Sequence, residues 1–358
     1  MTETASSLTH LRVDQIGALS RPEWLLETFR RHGRGEASDE ELRVAQERSI
    51  RALVAKQESI GLPVITDGEQ RRRHFMESFS ASVSGFAGER PVFDRGPVSS
   101  RLRMERNLPL EEYRFVKSLT ARTVKASFVG PDRIVQKFEW ERSRAVYPDL
   151  DAFTADVVDI ERRMVRELVA NGCRYVHVDA PSYTAYLDPI TRSLMEARGE
   201  DIDRNFERAL AADNAVIEGF PGVTFGVHLC RGKRPGSHRR VGGYETIAER
   251  LFNTLCHDRF LLEFDTDRAG GFEPLRFVPK GKVVVLGLVS ITSPTLESKD
   301  ELKRRIDEAA RYLPLEQLAL SPACGFGGGI LGAVRSMSDE EQWRKFELVM
   351  QVAHEVWN

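Results

Sequence analysis

Val223-Thr224-Phe225-Gly226-Val227-His228-Leu229-Cys230-Arg231-Gly232-Lys233 joins an apolar run to two metal-binding side chains. Residues 223–227 read as a β-strand, and His228 and Cys230 alternate with Leu229 at its end. Side chains two apart on a strand share a face, so the imidazole and the thiol should project together. A His-x-Cys pair is half of a tetrahedral zinc site. Further ligands must come from other strands, so the number and pairing of strands decide both the fold and the site.

Working outward, similar β-rich runs occur at 11–16, 62–66, 124–129, 174–178, 260–264, 282–289 and 317–320. Amphipathic helical patterns separate several of them. One follows the capping-box pattern Ser38-x-x-Glu41 and carries Leu42, Ala45, Ile50, Leu53 and Val54. Another, across 149–171, places Val157, Ile160, Met164 and Leu168 three or four apart before Gly172. A last helix starts at Ser338-x-x-Glu341. Nearly continuous apolar strands alternating with helices imply a parallel sheet covered on both faces. Eightfold alternation predicts a TIM (β/α)8 barrel, with residues 1–358 as a single domain. Residues 81–115 are the least regular part, with several Gly, Pro and Arg, and are expected to form a rim insertion such as a hairpin or lid.

Composition narrows the class. Hydrophobic residues make up 41% and charged residues 30% of the 358, as in a soluble globular protein. A formal charge of −2 gives no basic footprint for nucleic acid. No apolar run reaches the roughly 18 residues that would span a bilayer. The polar start, Met1 to His10, lacks the pattern of a signal peptide. Cys173, Cys230, Cys256 and Cys324 do not form a disulfide framework, so a reduced, cytoplasmic setting is expected. A homo-oligomer is compatible with all of this.

Barrel enzymes keep their chemistry at the C-terminal ends of the strands. Those ends carry Ile16-Gly17-Ala18-Leu19, Thr66-Asp67-Gly68-Glu69-Gln70, Val129-Gly130-Pro131, Val178-Asp179-Ala180-Pro181, His228 with Cys230, Glu263, Ser290 with Thr292, and Pro322-Ala323-Cys324-Gly325. His228, Cys230, Glu263 and Cys324 would therefore converge on one mouth. Thiolate, imidazole and carboxylate together suit Zn2+. Zinc holds a thiol as thiolate at neutral pH, which makes a nucleophile without a general base.

These motifs bring a family into view. Val13-Asp14-Gln15-Ile16-Gly17-Ala18-Leu19-Ser20-Arg21-Pro22, Thr66-Asp67-Gly68-Glu69-Gln70-Arg71-Arg72, His228-x-Cys230-Arg231-Gly232, Leu262-Glu263-Phe264-Asp265 and Pro322-x-Cys324-Gly325 occur in the family's order. Over nearly its whole length the chain resembles the C-terminal catalytic barrel of the cobalamin-independent methionine synthases, in particular their short, single-barrel members. The resemblance implies a zinc-dependent methyltransferase that forms a thioether such as methionine from homocysteine or a similar thiol. It assigns zinc to His228, Cys230, Glu263 and Cys324. It assigns the amino-acid part of the thiol to Ile16, Gly17 and Ala18 and to Glu69 and Asp179, the two that would also act in catalysis. The expected partners are a small-molecule thiol and a methyl donor, a methyl-folate or a methyl-corrinoid protein.

Three departures from the family pattern bear on the substrate. Ala18 stands where Ser is usual, the fourth-strand motif is Asp179-Ala180-Pro181 in place of Asp-Glu-Pro, and Ser290-Ile291-Thr292 replaces a segment with a His. They make a different thiol or electrophile a competitor, as in the epoxyalkane–coenzyme M transferases, which the barrel also resembles. A non-catalytic zinc- or thiol-binding protein is the reading from outside enzymology. Arg71 and Arg72, in the densest basic cluster, are either a solvated helix start or a clamp for an anionic donor. Tyr183 and Tyr186 are placed to line the pocket. His74, His238 and His257 are either surface or packing histidines or spare proton carriers. The glycines after Cys324 match no nucleotide-binding spacing and are expected to let the backbone turn closely around the metal. Cys173 and Cys256 have no ligand partner in the pattern.

Overall fold

A computed structural model describes residues 8–87, 96–234, 237–238, 240–327, 330 and 337–357. Its strands, in chain order, are β1 (Val64–Ile65), β2 (Val83–Phe86), β3 (Val98–Met104), β4 (Thr123–Val129), β5 (Tyr175–Asp179), β6 (Thr224–Leu229), β7 (Lys233–Arg234), β8 (Ser237–His238), β9 (Arg259–Glu263), β10 (Val283–Val289) and β11 (Leu318–Pro322). Seven of them form one sheet in the order β1-β4-β5-β6-β9-β10-β11, every neighbouring pair parallel. With the hairpins β2–β3 and β7–β8 set aside, spatial order follows chain order. That is the order of a sheet that curls on itself, and the α/β fold is consistent with a TIM-like barrel.

The first expected strand is the one that differs. Within 11–16 only Val13 bridges, to Leu320, with Asp14 N–H donating to Leu320 O at 3.0 Å and Leu320 N–H to Arg12 O at 2.8 Å. On its other side the segment reaches β1 through side chains. Gln15 Nε2 donates to Val64 O at 2.6 Å, and Thr66 Oγ1 donates to Gly17 O at 3.1 Å. The Gln15 N–H is taken by the Asp14 carboxylate at 2.8 Å, so it is lost to any ladder. Sheet order thus places residues 13–17 between β11 and β1, with one ladder bridge instead of a strand.

The interior is layered. At the N-terminal ends of the strands Asp14 is paired with Lys125 (2.9 Å) and Arg259 (3.1 Å) and accepts from Tyr175 OH at 2.5 Å. Burial alone would raise the Asp14 carboxyl, but the two cations and the hydrogen bonds hold it down at about 2. Above this plug Ile16, Leu261, Val283, Val285 and Ala319 form an apolar layer. The next side chains along the same strand faces lie at the C-terminal ends and belong to the candidate site.

Helices fall close to expectation. Asp39–Ser59 begins with a complete capping box from Ser38 and Glu41, and Leu150–Ala170 is capped by Asp149. Asp339–Trp357 follows Ser338, whose Oγ accepts from Glu341 N–H at 3.2 Å. The 81–115 stretch needs correcting at its end. Its β2–β3 pair is antiparallel, but Leu108–Lys117 is a regular helix, capped by Asn107 and with Pro109 in its first turn. The described part of the hairpin has its own apolar cluster, where Val83, Val98 and Leu102 meet Phe79, Phe138, Tyr147 and Phe153. Residues 88–95 lie outside the described set. Among described residues no helix is long and apolar enough to cross a membrane.

Candidate metal centre

Parallel register carries the ligands to one level. Asp179 pairs with His228 across β5 and β6, His228 with Leu261 across β6 and β9, and Glu263 with Gly287 across β9 and β10. Cys324 follows β11. The ligand atoms of His228, Cys230, Glu263 and Cys324 all lie within 4.8 Å of one another. His228 and Glu263 are buried, whereas both cysteines are partly exposed, so the sulfurs face the mouth.

The distances fit a tetrahedral cation. Cys230 Sγ and Cys324 Sγ are 3.4 Å apart, and neither is in a disulfide. Two Zn–S bonds at the tetrahedral angle set an edge of roughly 3.8 Å. Cys324 Sγ lies 3.4 Å from His228 Nε2, against an edge of about 3.6 Å for sulfur and nitrogen on zinc. The other ring nitrogen, Nδ1, is 3.0 Å from Leu261 O, an arrangement that orients the ring and leaves Nε2 for the cluster. The electrostatics agree. Burial pushes the Glu263 carboxyl up to about 7, with Cys230 adding to the shift and His228 and Arg268 opposing it. The hydrogen bond with Cys324, aided by His228, holds the Cys230 thiol well below its usual range against burial. Burial disfavours the His228 imidazolium, but Cys230 outweighs it and raises the group to about 9. Acidic ligands are crowded here, and a divalent cation would neutralise them.

The profile described as "Cobalamin-independent synthase, Catalytic domain" matches residues 23–329. The chain belongs to the cobalamin-independent methionine synthase family. It is 32% identical to an uncharacterized Bacillus subtilis (strain 168) protein, YxjG, over 97% of this chain and 94% of that one. It is 27% identical to the methionine synthase of Pyrococcus abyssi over 87% of this chain and 84% of its relative. A solved structure from Listeria monocytogenes superposes with a TM-score of 0.79 at 25% identity, covering 97% and 98% of the two chains.

Other expected residues of this family member fall into two groups. Asp179, the last residue of β5, adjoins His228 across the ladder, and Glu69 lies in the turn after β1. Glu69 sits in a left-handed conformation at φ 55°, just after Gly68 at φ 68°. An ideal Cβ on Gly68 would come within 2.8 Å of Leu53 Cδ1 and 3.0 Å of Leu19 Cβ, so the turn has no room for a side chain there. Arg21 Nη2 donates to the carbonyls of Glu69 (2.5 Å) and Arg72 (2.6 Å), which holds the turn. Burial pushes the Glu69 carboxyl up to about 7, Arg72 opposes the shift, and Asp179 adds to it. Asp179 accepts from His177 Nε2 at 3.0 Å. Burial raises Asp179, but His177 outweighs it and the carboxyl is lowered. Gly17 lies against Glu69, since a Cβ there would be 3.9 Å from its Oε1 and 3.7 Å from Ser127 Oγ. Ile16 is buried in the apolar layer, and Ala18 O accepts from Gly327 N–H at 3.1 Å.

The second group is committed elsewhere. Arg71 is 3.7 Å from Glu47 and stacks over Phe115 at 5.0 Å, on the outer helical layer. Arg72 is fully buried, bridging Glu112 (2.6 Å), Ser127 O (2.7 Å) and Glu69 (3.4 Å), so it buttresses the turn. Tyr183 OH donates to Asp213 at 2.5 Å and Tyr186 OH to Asp132 at 2.9 Å. His257 is buried just before β9, at the end of the barrel opposite Glu263, and the His238 side chain lies outside the described set. His74, close enough to interact with Asp179, is pushed down to about 3 by burial, then by Arg133 and Lys137. Gly325 and Gly327 pack against the first segment: ideal Cβ atoms would lie 2.8 Å from Ala18 Cβ and 2.3 Å from Leu19 O. Gly328 and Gly329 are outside the described residues. Cys173 is buried, its thiol pushed up to about 12 by burial, and Cys256 is exposed.

Sequence reading missed four groups around this site. Ser127 and His177 sit on β4 and β5 among apolar residues, and their inward phase was the available signal. Tyr244 exchanges hydrogen bonds with the Glu263 backbone, its hydroxyl 3.1 Å from Glu263 N and 3.3 Å from Glu263 O. Arg268 donates to Glu263 Oε2 at 2.7 Å. The last two lie outside the strands, so no strand-end pattern could reveal them.

Proposed function

We propose that this chain is a zinc-dependent S-methyltransferase that passes a methyl group to a thiol bound at its barrel mouth, forming a thioether such as methionine from homocysteine. The observation that carries the reading is the four-ligand cluster within 4.8 Å. His228, Cys230, Glu263 and Cys324 would hold the zinc. Zinc bound there would supply the Lewis acidity that keeps a thiol deprotonated at neutral pH. Glu69 and Asp179 would grip the α-ammonium of the thiol, and the backbone at 16–18 would receive its α-carboxylate. In the transfer the sulfur gains the methyl carbon, and the donor keeps the bonding electron pair. The relative from P. abyssi, a methionine synthase, supports methionine as product. A closed (β/α)8 barrel, with residues 11–16 as its eighth member, is part of the same proposal.

A second reading, with a different thiol or electrophile, is favoured by one feature. At the end of β10, Ser290 and Thr292 hydroxyls bond each other at 3.1 Å, and Ser290 N–H donates to Glu297, which pairs with buried Lys345. No imidazole stands among those groups to protonate a leaving folate. The test is methyl transfer by the zinc-loaded protein to homocysteine, with methyltetrahydrofolate and with a methyl-corrinoid protein as donors. Methionine formed by the wild type and lost in Cys324→Ser is expected. A zinc-loaded protein that methylates no thiol from either donor would overturn the methyltransferase.

A further inference from the structure

Glu263 is held differently from the rest of the cluster. His228 is oriented through the nitrogen that faces away, and the cysteines face each other. Both Glu263 oxygens instead meet donors that are not ligands: Oε1 the Arg231 N–H at 2.8 Å, Oε2 Arg268 Nη2 at 2.7 Å. Arg268 is itself anchored, Nε on Thr266 Oγ1 at 2.9 Å and Nη2 also on Asp265 Oδ1 at 3.0 Å. Its Nη1 is buried with no hydrogen-bond partner among the described residues. Guanidinium offers a carboxylate two parallel N–H groups. A carboxylate bound through one nitrogen, beside another that is unused, therefore has a second place to go.

We propose that Arg268 is a positioning residue that receives the Glu263 carboxylate when the thiol takes its place in the zinc set. The proposal rests on the zinc and thiol reading above. In the exchange one carboxylate oxygen leaves, one sulfur enters and the thiol proton passes to solvent, so the charge of the ligand set is unchanged. Glu263 leaves as an anion, and burying it unpaired would be costly. Arg268 removes that cost by keeping the carboxylate in a charge-assisted pair.

This role and a merely orienting one predict opposite effects on the metal. A partner that only orients a ligand strengthens the site, and its loss loosens the metal. A cation that competes with zinc for the same carboxylate does the reverse. The experiment uses full-length zinc-loaded wild type, Arg268→Met and Arg268→Lys. Zinc affinity is read by chelator competition, and homocysteine affinity by calorimetry. Arg268→Met should hold zinc at least as tightly as wild type and bind homocysteine about 10–100-fold more weakly, the loss of a hydrogen bond to a charged group. Arg268→Lys, which keeps a charged donor, should recover part of the thiol affinity and covers the case that the methionine variant fails to fold. Looser zinc with unchanged homocysteine affinity in both variants would overturn the proposal. Wild type without zinc would overturn the metal reading itself, a failure plainly different from the first.

Discussion

Glu69 holds a conformation that L-residues rarely adopt, and nothing in the turn itself rewards it. Strain of this kind is of order 1–3 kcal/mol and persists where the surroundings over-determine it. Here Arg21, Arg72 and Gly68 do so, and the result is a buried carboxylate facing Gly17. Glu69→Gln keeps the size and the backbone while removing the charge that would meet an ammonium. Homocysteine should bind about 10–100-fold more weakly, the loss of one hydrogen bond to a charged group, whereas the same thiol lacking its amino group should bind unchanged. Calorimetry with the two ligands measures this, and equal losses for both would remove Glu69 from the amino-group site. The residue types were legible in the sequence because each ligand ends an apolar run. Tyr244 and Arg268 were not, because their role depends on where a loop returns.

At the scale of elements, the structure turns two sequence features to different uses. Gly325 and Gly327, just after Cys324, press that loop onto the first segment. Gly327→Ala would put a methyl 2.3 Å from the Leu19 carbonyl oxygen, a backbone atom that cannot swing aside. Thermal unfolding should show a loss of about 1–3 kcal/mol, the usual cost of overpacking, and an unchanged Tm would mean that the loop is not held there. The predicted first strand shows the opposite limit of pattern reading. Leu11 and Val13 begin a strand-like alternation, yet Asp14 captures the Gln15 N–H and Gln15 spends its amide on Val64. Side-chain hydrogen bonds compete with ladders, and that competition leaves no period in the sequence. The helix at Leu108–Lys117 was hidden for a simpler reason: Pro109 reads as a breaker, yet it is favourable in a first turn.

For the whole molecule, parallel register does the work of bringing chemistry together. Strand order that follows chain order, over a charged plug at Asp14, Lys125 and Arg259, lifts residues from β5, β6, β9 and β11 to a single mouth. That much was readable from alternating strands and helices. The departures at Ala18, Ala180 and Thr292 were readable too, and they leave the ligand set intact. Everything proposed for this molecule depends on His228, Cys230, Glu263 and Cys324 binding zinc with one position exchangeable. Zinc X-ray absorption on the full-length protein tests it most directly. The expected spectrum is that of about one zinc per chain in a four-coordinate shell of two sulfurs and two lighter atoms, becoming three sulfurs when homocysteine is added. A shell without sulfur, or a sulfur number unmoved by any thiol that the protein methylates, would contradict it.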